Sequence, residues 1–120
     1  MSSKLDLAPS TGSLPPGEAV NLAGLVNYQG NAVVSRTLTK ANGGTLTLFA
    51  FDAGQGLSEH SAPFDATVIV LDGAARVTVG GKPVVARVGE AVLMPANVPH
   101  AVTAEERFKM LLVMVRAVVV

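Results

Sequence analysis

The chain contains two histidines, His60 and His100, and no cysteine. Without cysteine there are no disulfides, thiolate nucleophiles or thiolate metal sites. Imidazole is then the main group able both to bind a transition metal and to move a proton near neutral pH. Two imidazoles alone make a weak, exchangeable metal site, because mononuclear catalytic sites normally use three protein ligands. A carboxylate is the missing partner. Asp65 is the first candidate, since Pro63 can disturb the strict alternation of side chains along a strand. Glu59 is a direct neighbour of His60 and is expected on the opposite face. Asp52 and Asp65 are also the candidates to orient a histidine acting as a general acid or base.

These residues need elements to position them. Residues 1–17 are rich in Ser, Pro, Thr and Gly and read as a loose lead-in that stops at Pro15-Pro16-Gly17. Residues 18–120 then form one domain. Within it AVVSRTLTK (32–40) and TLTLFAFD (45–52) read as strands joined by Asn42-Gly43-Gly44. Further on, ATVIVLDG (66–73) leads into ARVTVGGKPVVARVG (75–89), where Gly80-Gly81 can supply a two-residue hairpin turn. EAVLMP (90–95) and ERFKMLLVMVRA (106–117) complete the series. Short strands punctuated by Gly, Pro and Asn, with no helical period of useful length, predict an all-β barrel or sandwich.

Composition excludes several classes. Nine basic and nine acidic residues give a formal net charge of zero, with no basic stripe to recruit nucleic acid or anionic lipid. The last apolar stretch, MLLVMVRAVVV, is broken by Arg116 and is shorter than a membrane helix requires. The opening residues lack the apolar core of a secretion signal, so a cytoplasmic protein is the simplest expectation.

The segment GQGLSEHSAPFDATVIVLDG (54–73) resembles the first motif of the cupin superfamily, G(x)5HxH(x)3,4E(x)6G, with Gly54, His60 and Gly73 in place. GEAVLMPANVPHAVTA (89–104) resembles the second motif, G(x)5PxG(x)2H(x)3N, with Gly89, Pro95 and His100 in register. Asn97 stands at the family's glycine, a mild change because asparagine tolerates a left-handed backbone. The resemblance implies a cupin-type double-stranded β-helix, the jelly-roll barrel. In that family the motifs deliver three histidines and a glutamate to a divalent transition metal inside the barrel. Here the second histidine position is Ala62 and the glutamate position is Ala66.

Three functions remain open at this stage. The first is binding of a small molecule in a pocket around His60 and His100, with the metal weakly held or absent. The second is a metal-dependent enzyme, dioxygenase- or isomerase-like, in which Zn, Mn, Fe or Ni sits on His60, His100 and Asp65. The third is a metal-free epimerase- or isomerase-like enzyme with a histidine general acid or base, for which the family offers precedent. Candidate pocket-lining residues are Phe49, Phe51, Ala62, Phe64, Ala66, Met94, Phe108 and Met110, with Met114 beside them. TVIVLD and TLTLFAF are apolar on both faces, whereas a closed barrel needs only an apolar interior. A homodimer packed sheet to sheet is the expected cover for the outer face.

Overall fold

The computed structural model describes residues 14–116. Residues 1–13 of the lead-in and residues 117–120 lie outside the described residues. A short 3-10 turn, Leu22–Leu25, precedes nine strands. They are β1 (Val33–Ala41), β2 (Gly44–Phe51), β3 (Gly56–His60), β4 (Phe64–Asp72), β5 (Ala74–Val79), β6 (Lys82–Arg87), β7 (Ala91–Met94), β8 (His100–Thr103) and β9 (Phe108–Arg116). All pair antiparallel, in a five-stranded sheet ordered β1-β2-β9-β4-β7 and a four-stranded sheet ordered β3-β8-β5-β6. The all-β reading of the sequence holds, and β3 and β8 are the two strands it did not separate.

Turn chemistry sets the corners. Gly80 and Gly81 have φ of 58° and 82°, the left-handed pair that a tight hairpin needs to follow the strand twist. At the β4–β5 corner, Gly73 has φ of +70°, and a Cβ there would lie 2.4 Å from the Arg107 carbonyl oxygen. Only glycine fits that approach.

Alternation then fills the interior. Ala66, Val68 and Val70 of β4 face inward beside Met110 and Phe108 of β9, opposite Ala75, Val77 and Val102 of the smaller sheet. Phe51 and Phe108 are fully buried and stack with ring centroids 4.5 Å apart. Burying each such ring is worth about 1.5–3 kcal/mol. These two rings and the inward valines hold the sheets together.

The outer face of the larger sheet is also apolar, and the chain covers part of it itself. Val26, Leu38, Leu48 and Ala50 form a second buried cluster, packed by Leu14, Leu22, Leu25 and Tyr28. Leu14, inside the expected lead-in, already belongs to this layer. Polar contacts fasten the segment down: Arg36 donates to the Leu25 carbonyl, Lys109 to the Ala23 carbonyl, and Tyr28 to Asp72 at 2.6 Å. Tyr28 lies beneath the Arg107 and Lys109 cations, at 4.5 and 5.0 Å from its ring centroid. Burial, and then its bond to Asp72, raise the phenol well above its ordinary range.

Candidate functional site

His60 ends β3 and His100 begins β8, and the two are direct cross-strand partners. Strict alternation from Leu57 would carry Glu59 inward and turn His60 out. A register shift between Leu57 and His60 reverses this, the usual effect of a bulge on the side chain that follows it. Glu59 is left exposed. The imidazoles meet edge to face, centroids 4.5 Å apart and planes at 69°. His60 is exposed at the rim, whereas His100 is 4% exposed.

Both rings are held in the same way. His60 Nδ1 lies 2.8 Å from the Ser58 carbonyl, and His100 Nδ1 lies 3.1 Å from the Val98 carbonyl. A carbonyl only accepts, so each neutral ring carries its proton on Nδ1 and keeps Nε2 as an acceptor. No described residue bonds either Nε2. Backbone anchoring of one ring nitrogen is also how proteins orient histidines toward a ligand on the other.

Below the rings is a cavity of about 40 Å³, lined by Leu57, His60, Ala62, Ala66, Met94, His100, Val102, Met110, Leu112 and Met114. That is room for little more than one water. Apart from the imidazoles the wall is apolar. Of the candidates chosen from sequence, Ala62, Ala66, Met94, Met110 and Met114 line it. The four phenylalanines do not. Phe51 and Phe108 are spent in the core, Phe49 stacks on Phe51 at 5.8 Å, and Phe64 lies under the Arg116 guanidinium at 5.7 Å. Leu57, Val102 and Leu112 were missed, although alternation on β9 from Met110 would have found Leu112.

The carboxylates are elsewhere, which corrects both roles expected of them. Asp65 precedes the inward Ala66, is exposed, and accepts from the Ala96 backbone N–H at 2.9 Å. It braces the Pro95–Val98 turn, whose Asn97 N–H donates to the Ala62 carbonyl at 2.7 Å. Pro63 does not upset the alternation after all. Asp52 accepts from the Asn31 N–H at 2.8 Å and from Arg107 at 3.2 Å. Those backbone bonds, from Asn31 and then Ala53, with Arg107 after them, hold its pKa below the usual carboxylate value. Neither aspartate lines the histidine cavity.

A wider, open groove of about 770 Å³ lies between residues 25–29 and β1. Its Arg36 and Tyr28 are already engaged with Leu25 and Asp72. It therefore presents packing surface more than free polar groups. Among the described residues no helix is long and apolar enough to cross a membrane.

Two antiparallel sheets closed over a histidine-rimmed cavity define a cupin-type barrel. The cupin domain family matches residues 47–115, and the chain belongs to that family. It is similar to a conserved protein of unknown function from Streptococcus pyogenes, with 34% identity, TM-score 0.84, and coverage of 89% of this chain and 94% of that one. It is also similar to a cupin 2 conserved barrel domain protein from Leptotrichia buccalis, with 46% identity and TM-score 0.79 over 81% of this chain; the match spans 47% of that longer protein. A cupin superfamily protein from Desulfitobacterium hafniense matches at 28% identity and TM-score 0.82, covering 88% of this chain and 96% of that one. No protein of curated function matches the chain.

The divalent metal that the family implies does not fit the residues present. Two of its ligand positions are Ala62 and Ala66, which line the cavity as methyl groups. Among the described residues no three His, Cys, Asp or Glu side chains converge.

Proposed function

We propose that this cupin binds one small ligand at the cavity between His60 and His100, and that the two Nε2 atoms are its polar recognition groups. The observation that carries this is the shared anchoring of the rings. Both Nδ1 atoms are tied to backbone carbonyls, so each neutral ring keeps Nε2 as its acceptor, and both rings line one apolar cavity. A few placed polar groups on an otherwise apolar wall are the common form of a small-ligand site. The cavity's size restricts the buried part of the ligand to a few atoms, although methionine side chains can re-pack to admit more.

The enzyme readings have less support. A four-ligand metalloenzyme lacks its donors, and a histidine acid-base catalyst lacks the carboxylate that would orient it, since Asp52 and Asp65 are engaged elsewhere.

The test is NMR of 13C-methyl methionine and 15N-histidine protein titrated with short alcohols, acetamide and phenol. The expected result is a saturable shift of Met94, Met110 and Met114 methyls together with both imidazoles. His60→Asn should weaken binding by about fivefold, the worth of one net hydrogen bond. Shifts confined to other residues would overturn the proposal.

A further inference from the structure

We infer that the occupant best matched to this cavity is a soft monovalent cation, copper(I), held by the two imidazoles together with thioether sulfur; the inference rests on the cavity being the chain's ligand site.

The sulfur is concentrated here. The sequence has four methionines, and three of them, Met94, Met110 and Met114, line this one cavity. Their register gives the arrangement meaning. Ala66 of β4 pairs with Met94 of β7 on one side and with Met114 of β9 on the other. A thioether-bearing residue therefore flanks each side of the position where the family places its carboxylate. Residues directly opposite across a ladder have Cβ atoms about 4.5–5.5 Å apart, so the three side chains form one row.

Charge and softness then point the same way. Aspartate and glutamate are absent from the wall. A divalent ion in such a cavity would have no anionic ligand, and its desolvation cost, growing with the square of charge, would be about four times that of a monovalent ion of equal size. Thioether and imidazole are donors that suit copper(I), whereas Mn and other hard divalent ions favour oxygen. Copper(I) also accepts few ligands, and a cavity of about 40 Å³ admits an ion more readily than an organic molecule. Met94 and Met110 are 2% and 0% exposed, so their sulfurs are shielded from competing water. Methionine is also a common core filler, and the experiment separates the two roles.

The full chain is titrated anaerobically with copper(I) against a chromophoric copper(I) chelator, and in parallel with Zn(II) and Mn(II), with X-ray absorption on the copper-loaded sample. The inference expects one equivalent of copper(I), bound at least ~100-fold more tightly than either divalent ion, with nitrogen and sulfur in the first coordination shell. Met94→Leu/Met114→Leu conserves volume and should leave thermal stability nearly unchanged, yet lower copper(I) affinity by at least ~10-fold. His60→Asn, at an exposed position, should do the same. Equal affinity for Zn(II) or Mn(II), or unaltered copper(I) binding in the double leucine variant, overturns the inference. If short alcohols or phenol shift the two histidines while copper(I) does not bind, the inference falls and the small-ligand site stands. If neither binds to folded protein, both fall.

Discussion

His60 and His100 are cross-strand partners whose rings meet edge on, and each is fastened by its Nδ1 to the carbonyl two residues earlier. Both rings are therefore anchored alike beside one cavity. It follows that both neutral rings are Nδ1-protonated. Long-range 1H–15N correlation of the rings should show Nε2 as the unprotonated nitrogen in each, and an Nε2–H form in either would contradict the account.

Ala62 and Ala66 are methyl-bearing positions on the cavity wall. Restoring the family's ligands with Ala62→His/Ala66→Glu should convert the chain to a stoichiometric binder of Zn(II), Mn(II) or Ni(II). A new carboxylate in this apolar wall costs on the order of several kcal/mol without metal. The metal-free variant should therefore melt earlier and recover on adding metal, because a ligand that binds only the folded state stabilises it. Calorimetric melts with and without metal check both halves.

Asn97 has φ of 66° and its N–H donates to the Ala62 carbonyl, tying the turn before His100 to the segment after His60. Asn97→Gly should change stability by less than about 0.5 kcal/mol. Asn97→Val, which cannot enter the left-handed region cheaply, should cost about 1–2 kcal/mol. Urea melts of the two variants measure the difference.

Asp52 fastens Asn31 and Arg107, and its folded pKa lies below the ordinary 3.8. Its contribution is therefore present above that pH and is lost as pH falls toward the folded value. Melting temperature followed from pH 5 downward should drop less steeply in Asp52→Asn than in the parent. Parallel acid limbs would contradict the role.

On the outer face of the larger sheet, residues 22–28 cover the Leu48 end, while Leu93 and Val115 remain 55% and 53% exposed. We propose that a second copy of the chain covers this remainder. Light scattering coupled to size exclusion should give a dimer, and a clean monomer of the 12.3 kDa chain would contradict it.

Fold and site were legible in the sequence to different degrees. Turn glycines such as Gly73 and Gly80-Gly81, and the period-two strands between them, reveal the barrel because local backbone preference and alternation coincide there. β3 and β8 were hidden: GLSEH and HAVT are short, and β3 carries the register shift that breaks its pattern. The same shift decides which of Glu59 and His60 turns inward, and nothing local to the sequence announces it. Asp65 was misread for the opposite reason, since β4 runs in regular alternation through Ala66 and leaves Asp65 on the outside. The phenylalanines were drawn into the pocket list by type alone, whereas their places are set by packing between sheets.

A crystal structure of the chain with the tightest of the tested small ligands examines the central claim most directly. The account predicts ligand density between the imidazoles, with Nε2 of His60 and of His100 both within bonding distance and the Met94, Met110 and Met114 side chains around its buried end. Density in the outer groove beside Tyr28 and Arg36, or imidazoles turned so that Nε2 faces away from the cavity, would contradict it.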